Sequence, residues 1–287
     1  LSSSSAASDV YKRQNHHNIQ TKNIRPIHIR IRKNMNKHEK LFDTSCLQIN
    51  EGKKGKCLFQ VASNFNCLEL DSDKINPFNG TFITSLMFDS TQGPSAAGGA
   101  VSGTILRLAL HRQQNIDLLA DTNLIHKNGK LFSWKISDNI IDQLDYTKVK
   151  IGFHQNVRAN YMRYNDSYTK IEDGPFIDQI YTSTCIVFDK IKYCKLQDKL
   201  LRAAYESVYL IAIKKKYSKI FLTLIGGCAF NNDIEIIIRI ISEVHKKYSS
   251  YLPKYCEIHL PIYSNRTLGI LNLFNANKLK IKLQIYE

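Results

Sequence analysis

The chain has 287 residues, 43% of them hydrophobic and 10% aromatic, and a formal charge of +15. That much apolar material builds a core, which excludes a disordered chain, and the length fits one large domain or two small ones. No run of about 18 apolar residues occurs, so no membrane-spanning helix is expected. The surplus charge reads mainly as solvated surface on a Lys-, Asn- and Ile-rich chain. A nucleic-acid face needs basic residues clustered with aromatic ones, and the linear sequence shows no such cluster, so nucleic-acid association is only weakly suggested.

The seven cysteines include no CxxC pair, which removes the common zinc and dithiol signatures. Their odd number, and the lack of a secretory apolar segment at the start, fit free thiols in a reducing cytoplasm. The histidines show no HxxxH or His-x-Glu spacing, so neither a metal nor a cofactor is expected.

Residues 1–14, LSSSSAASDVYKRQ, resemble adapter read-through and are set aside. Residues 15–40 read as a disordered or weakly ordered basic tail, within which Ile27, Ile29 and Ile31 alternate with basic residues as in a short edge strand. The globular domain is expected over 41–287. Cys57–Ala62 is a buried-strand pattern that runs into Ser63-Asn64-Phe65-Asn66. A Gly-Pro turn then leads into small residues, and Val101, Ile105, Leu108 and Ala109 at helical spacing predict a helix from Ser95–Gly98 to His111. Residues 111–190 read as a divergent middle or insertion of loops and short strands, with Lys148–His154 and Tyr181–Phe188 as candidates.

The last third is more regular. Asp198 is expected to cap a helix reaching about Tyr217, with Lys214–Lys216 at its negative end, and its tyrosines read as packing residues. Lys219–Ile225 (KIFLTLI) has the near-continuous apolar character of a parallel strand. Gly226-Gly227 breaks it, and Asn231 or Asn232 is expected to cap a second helix. Glu257–Ile262 predicts another strand and Thr267–Asn275 a short helix. Alternating strands and helices predict a three-layer α/β/α sandwich with a mixed, mostly parallel central sheet.

Such a sheet binds ligands beyond the carboxyl ends of its strands. Two loops fit that rule. Thr91 to Ala100 carries Gln92, Gly93, Gly98 and Gly99. Leu224 to Asn232 carries Gly226, Gly227, Cys228, Ala229, Phe230 and Asn231. Small residues let the backbone approach a ligand, and amide groups ahead of a helix favour an anion such as a phosphate. Neither loop is a Walker A or GxGxxG sequence.

Val61-Ala62-Ser63-Asn64-Phe65-Asn66 resembles the strand end that lines the ribose in macrodomains. Ala97 to Ile105 looks like the glycine loop and following helix of that superfamily, and Gly227-Cys228-Ala229-Phe230-Asn231-Asn232-Asp233 is similar to the Gly-Cys-Gly-Ala-Phe-Gly-Gly-Asp segment of its poly(ADP-ribose)-glycohydrolase branch. The resemblance covers roughly 55–110 and 195–265. It implies a macrodomain-like fold and, as ligand or partner, ADP-ribose or an ADP-ribosylated protein. It places Asn64 and Asn66 near the distal ribose, Gly98 and Gly99 against the diphosphate, Gly226 to Ala229 in a second phosphate-facing loop, and Phe230 beside the ribose. The Gln-Glu-Glu catalytic motif of that branch is absent, and the corresponding stretch reads Thr104-Ile105-Leu106-Arg107. Hydrolysis of an ADP-ribosyl bond needs a carboxylate near the ribose, for which Glu69 and Asp89 are the candidates by position. The alternatives are a non-catalytic ADP-ribose reader and a basic nucleic-acid-associated protein.

Overall fold

The computed structural model describes residues 24–32, 44–68, 107, 110, 113–164, 167–262 and 267–286. In chain order these form β1 (Ile27–Arg32), α1 (Thr44–Gly52), β2 (Cys57–Ala62), β3 (Leu131–Phe132), α2 (Asp138–Gln143), β4 (Gly152–Arg158), β5 (Tyr161–Tyr164), β6 (Ser167–Lys170), β7 (Phe176–Thr182), β8 (Cys185–Ile186), α3 (Cys194–Lys215), β9 (Lys219–Phe221), α4 (Ile234–Tyr248), β10 (Glu257–Ile262), α5 (Thr267–Ala276) and β11 (Ile281–Tyr286). The central sheet has the order β11-β1-β10-β9-β2-β7-β4. Every neighbouring pair in it is parallel except β7 with the edge strand β4. The expected mixed, mostly parallel α/β sandwich is therefore the observed architecture.

Alternation along the strands divides the sheet into two faces. Ile27, Ile29, Leu58, Ile180, Ile220, Ile258 and Leu260 pack with α3, α4 and α5. Cys57, Phe59, Val61, Ile177, Tyr181 and Phe221 pack on the other side with Leu47 and Ile49 of α1. That second face also carries a row in strict register: His28, His259, Phe221, Phe59, Gln179 and His154. Phe59 and Phe221 stack at 4.4 Å, Phe221 and His259 at 5.0 Å, and His28 lies 4.9 Å from His259. Arg30 places its guanidinium 5.1 Å above Phe221 and donates to Glu51, which Lys219 also reaches at 2.6 Å.

Several boundaries differ from the sequence expectation. The supposed tail contains β1, and β1 is no edge strand: it pairs on both sides, with Ile27 and Ile29 fully buried. Its basic alternation arises because His28 and Arg30 face the polar row. Helix α3 starts at Cys194, ahead of Asp198, and ends at Lys216 in the left-handed region. Asp198 binds Arg202 and Arg239 instead of capping. Strand β9 stops at Phe221, four residues short of the apolar run's end, because the Thr223 amide turns to the Gln60 side chain (3.1 Å). Asp233, not Asn231 or Asn232, caps α4, accepting from the Glu235 amide at 2.9 Å. The middle 111–190 supplies β7 and β4 to the central sheet. The helix expected from Ser95–Gly98 starts outside the described residues; Arg107, Leu110 and Gln113 are helical. No helix among the described residues is long and apolar enough to cross a membrane.

The buried histidines tie stability to pH. His259 Nδ1 accepts from Arg30 Nε (3.0 Å), and His245 donates from Nε2 to the Arg25 carbonyl (2.7 Å) while Nδ1 accepts from the Tyr209 hydroxyl (2.8 Å). Both rings are thus held neutral. Burial, reinforced by the Arg30 charge, pushes His259 down to about 2, and burial pushes His154 and His245 down to about 4. Burial raises the Glu51 carboxyl, but Lys219 and Arg30 more than reverse that and hold it at about 2. Between pH 6.5 and 4 the unfolded chain takes up histidine protons that the folded chain refuses, so stability is present above that window and is lost as pH falls. Each such histidine contributes up to about 1.4 kcal/mol per pH unit. Glu51 adds a loss of the same sign below its ordinary range. Urea unfolding at stepped pH is expected to show a midpoint falling steadily from pH 7 to pH 4, and His245→Gln is expected to flatten that slope.

Candidate functional site

Parallel pairing brings the carboxyl ends of β9, β2 and β7 to one rim. From β2 the chain runs into Ser63-Asn64-Phe65-Asn66, from β7 into Ser183-Thr184, and from β9 into Leu222 to Asn232. The side chain of Gln60 stitches the three ends together: its Nε2 donates to Thr182 Oγ1 at 3.1 Å, and its Oε1 accepts from the Thr223 amide at 3.1 Å. The Ser63 amide donates to the Thr182 carbonyl at 2.9 Å.

The loop after β9 is a built structure. Gly226 has φ +73°, and a Cβ there would lie 2.4 Å from Thr184 Cγ2 and 2.6 Å from Asn232 Nδ2, so only glycine fits. Asn232, almost fully buried, accepts from Thr184 Oγ1 at 3.0 Å and donates to the Cys185 carbonyl at 2.8 Å. The Asn231 side chain donates to the Val187 carbonyl (3.2 Å), and the Val187 amide donates to the Phe230 carbonyl (2.9 Å). Tyr205, on the fully buried side of α3, donates its hydroxyl to the Thr223 carbonyl at 2.7 Å and accepts from the Ile225 amide at 3.1 Å. Cys228 and Ala229 are exposed at the crest, Phe230 is half-buried, and the amides of these three residues meet no acceptor among the described residues.

On the β2 side, Asn64 is 2% exposed, and its Nδ2 is buried with no hydrogen-bond partner among the described residues. Asn66 Oδ1 accepts from the Leu68 amide at 3.1 Å, which closes the turn. Gly129 (φ +80°) packs against both: a Cβ there would lie 2.5 Å from Asn66 Oδ1 and 2.8 Å from Asn64 Cβ. The Phe65 amide donates to the Gly129 carbonyl at 2.8 Å, and the Gly129 amide donates to His126 Nδ1 at 2.9 Å. That nitrogen is therefore an acceptor, and Nε2–H points to Asp117 at 3.0 Å. Below the rim, Arg107 lies over the Tyr181 ring at 4.2 Å and donates to its hydroxyl, which in turn donates to Gln179.

The sequence-derived residues therefore divide. Asn64, Asn66, Gly226, Gly227, Cys228, Ala229, Phe230 and Asn231 come to one rim, with Asn66 and Asn231 engaged in closing turns. Glu69, Asp89, Gln92, Gly93, Gly98 and Gly99 lie outside the described residues. Gln60, Thr184, Tyr205 and Gly129 carried no signal in the linear sequence, because their importance rests on neighbours far along the chain. Among the described residues no group of three or more metal-ligating side chains is assembled.

No protein-family model matches the chain, and no curated protein is similar to it. Solved structures to which it is similar include poly(ADP-ribose) glycohydrolase from Thermomonospora curvata, at 11% identity and TM-score 0.49, over 88% of this chain and 77% of that one. The Trypanosoma brucei macrodomain in complex with ADP-ribose aligns at 11% identity and TM-score 0.43, over 87% and 68%. The Oceanobacillus iheyensis macrodomain with MES bound aligns at 10% identity and TM-score 0.41, over 86% and 95%.

Gly226→Ala is expected to cost about 1–3 kcal/mol, since it strains the left-handed backbone and drives a methyl group into Thr184. Tyr205→Phe should cost about 1 kcal/mol, because it removes the hydroxyl that bonds both the Thr223 carbonyl and the Ile225 amide, which then keeps only the Thr223 carbonyl as acceptor. Urea denaturation of the two variants beside the parent chain checks both values.

Proposed function

We propose that the C-terminal rim of the sheet binds ADP-ribose or a nucleotide diphosphate of the same build, free or attached to a protein. One observation carries the reading. The loop that Gly226 permits offers a run of backbone amides at Cys228, Ala229 and Phe230 on the same rim as the amide nitrogen of Asn64, which is buried and meets no partner among the described residues. Backbone N–H groups of this kind suit phosphate oxygens, because they carry partial positive charge and cost no side-chain entropy. A buried donor such as Asn64 Nδ2 is costly to leave unpaired, so a ribose hydroxyl reaching it gains more than it would in water. The exposed crest leaves the loop accessible, and half-buried Phe230 supplies an apolar flank for the sugar.

Binding without turnover is the first reading. The macrodomain branch that the sequence resembles carries two carboxylates in a stretch that here reads Thr104-Ile105-Leu106-Arg107, and the Arg107 guanidinium is committed to Tyr181 below the rim. A cation at that depth opposes, rather than stabilises, positive charge developing on a ribose. Hydrolysis would fall to Glu69 or Asp89.

Calorimetric titration of the full chain with ADP-ribose is expected to give saturable heat, with AMP much weaker because it lacks the diphosphate. No heat at millimolar ADP-ribose removes the reading. Incubation with an ADP-ribosylated protein is expected to release no free ADP-ribose. Release that disappears in Glu69→Gln or Asp89→Asn would make the chain a hydrolase.

A further inference from the structure

We propose that the opposite end of the same sheet is a binding face for single-stranded nucleic acid. Strands β10, β9 and β2 are neighbours and parallel, so the loops preceding them meet at the amino end. Those loops are residues 52–56 (GKKGK), 214–219 (KKKYSK) and 253–257 (PKYCE). They are bonded to one another. The Ser218 amide and hydroxyl both donate to the Lys56 carbonyl, at 3.3 and 2.8 Å, the Glu257 amide donates to the Ser218 carbonyl at 2.9 Å, and the Tyr255 hydroxyl reaches the Lys216 carbonyl at 3.5 Å. Lys56 Nζ sits 4.8 Å over the Tyr217 ring.

The result is a face on which Lys53, Lys54, Lys56, Lys214, Lys216 and Lys254 are all exposed. Among the described acids nearby, Glu51 is buried and held by Arg30 and Lys219, with Lys54 at 3.3 Å, and Glu257 accepts from His259. Helix ends explain some of this charge: Lys53 and Lys54 follow α1, and Lys214 and Lys216 close α3. They explain neither Lys56 and Lys254 nor the convergence of three segments, the first of which lies more than 150 residues before the other two. The face also carries Tyr255, 63% exposed, and Tyr251, 46% exposed.

Clustered lysines beside two exposed aromatic rings fit a phosphodiester chain whose unpaired bases stack. Lysine, a point charge without arginine's planar fork, favours phosphate over base edges, so binding should be insensitive to sequence. The face is separated from the C-terminal rim by the length of β2, about 20 Å, and the proposal stands independently of what that rim binds.

The test is fluorescence anisotropy of the full chain with a labelled oligouridylate of about 16 nucleotides. About four phosphate contacts predict roughly 50-fold weaker binding on raising salt from about 50 to about 200 mM. The surface variant Lys53→Ala, Lys216→Asn, Lys254→Ala is expected to lose about tenfold or more in affinity and to flatten the salt slope by about two. Asn at 216 tolerates the left-handed backbone there. Its thermal midpoint should match the parent chain. Tyr255→Ala should weaken binding with the salt slope unchanged, since stacking releases no counterions. Affinity and slope unchanged in the triple lysine variant would overturn the proposal by placing the contacts elsewhere, the basic residues of 1–40 included. Capture by phosphatidylserine vesicles without oligonucleotide binding would overturn it in favour of a membrane surface.

Discussion

Parallel pairing of β2 between β9 and β7 is the constraint on which the rest of the molecule depends. Because these three strands run the same way, their carboxyl ends open onto one rim and the loops before β2 and β9 gather at the other end. Gln60 makes that pairing specific. It is buried in the centre of the sheet, where an unpaired amide is costly, and it spends both ends of its side chain on the neighbours: Thr182 on one side, the Thr223 backbone on the other. The second bond also ends β9 early and turns the chain into the glycine loop, so one side chain couples sheet register to loop position.

The rim combines rigid parts with unmet hydrogen-bonding capacity. Asn232, Asn231, Thr184 and Tyr205 fix the course of the loop, and Gly226 supplies a backbone conformation that other residues reach only with strain. The groups that meet no partner among the described residues are then held in place, which is what the proposed recognition of a diphosphate by backbone amides requires if its ordering cost is to stay small. His126 plays a comparable part on the β2 side, where its acceptor nitrogen holds the Gly129 amide and so the packing of that glycine against Asn64 and Asn66.

The second face of the sheet is unusually polar for a covered surface. A register row of His28, His259, Phe221, Phe59, Gln179 and His154 crosses it, and Arg30 and Lys219 turn toward Glu51 on α1. Ring contacts let His28 and His259 pack as flat bodies while His259 bonds Arg30 and Glu257 and His28 accepts from Gln284. The same burial that makes this work denies the rings a proton, so the packing that holds α1 to the sheet is coupled to acidity.

Local patterns in the sequence carry much of the secondary structure. The Cys57–Ala62 and Glu257–Ile262 strands are legible as short, nearly continuous apolar runs, which suit strands buried on both faces. The glycine loop is legible from Gly226-Gly227, since paired glycines after an apolar run mark a turn, although the strand itself ends earlier, at Phe221. Partners distant in the chain erased other signals. Nothing near Ile27 announces that β10 and β11 will flank it. Asp198 looks like a cap until Arg202 and Arg239 claim it, and Asn232 looks like one until it turns back to Cys185. The amino-acid sequence by itself fixed which segments are apolar and where the chain must bend. Only tertiary structure decided that Asn64 and Gly226 share a rim and that Lys53, Lys216 and Lys254 share a face, because such convergence depends on strand order, which no local period encodes.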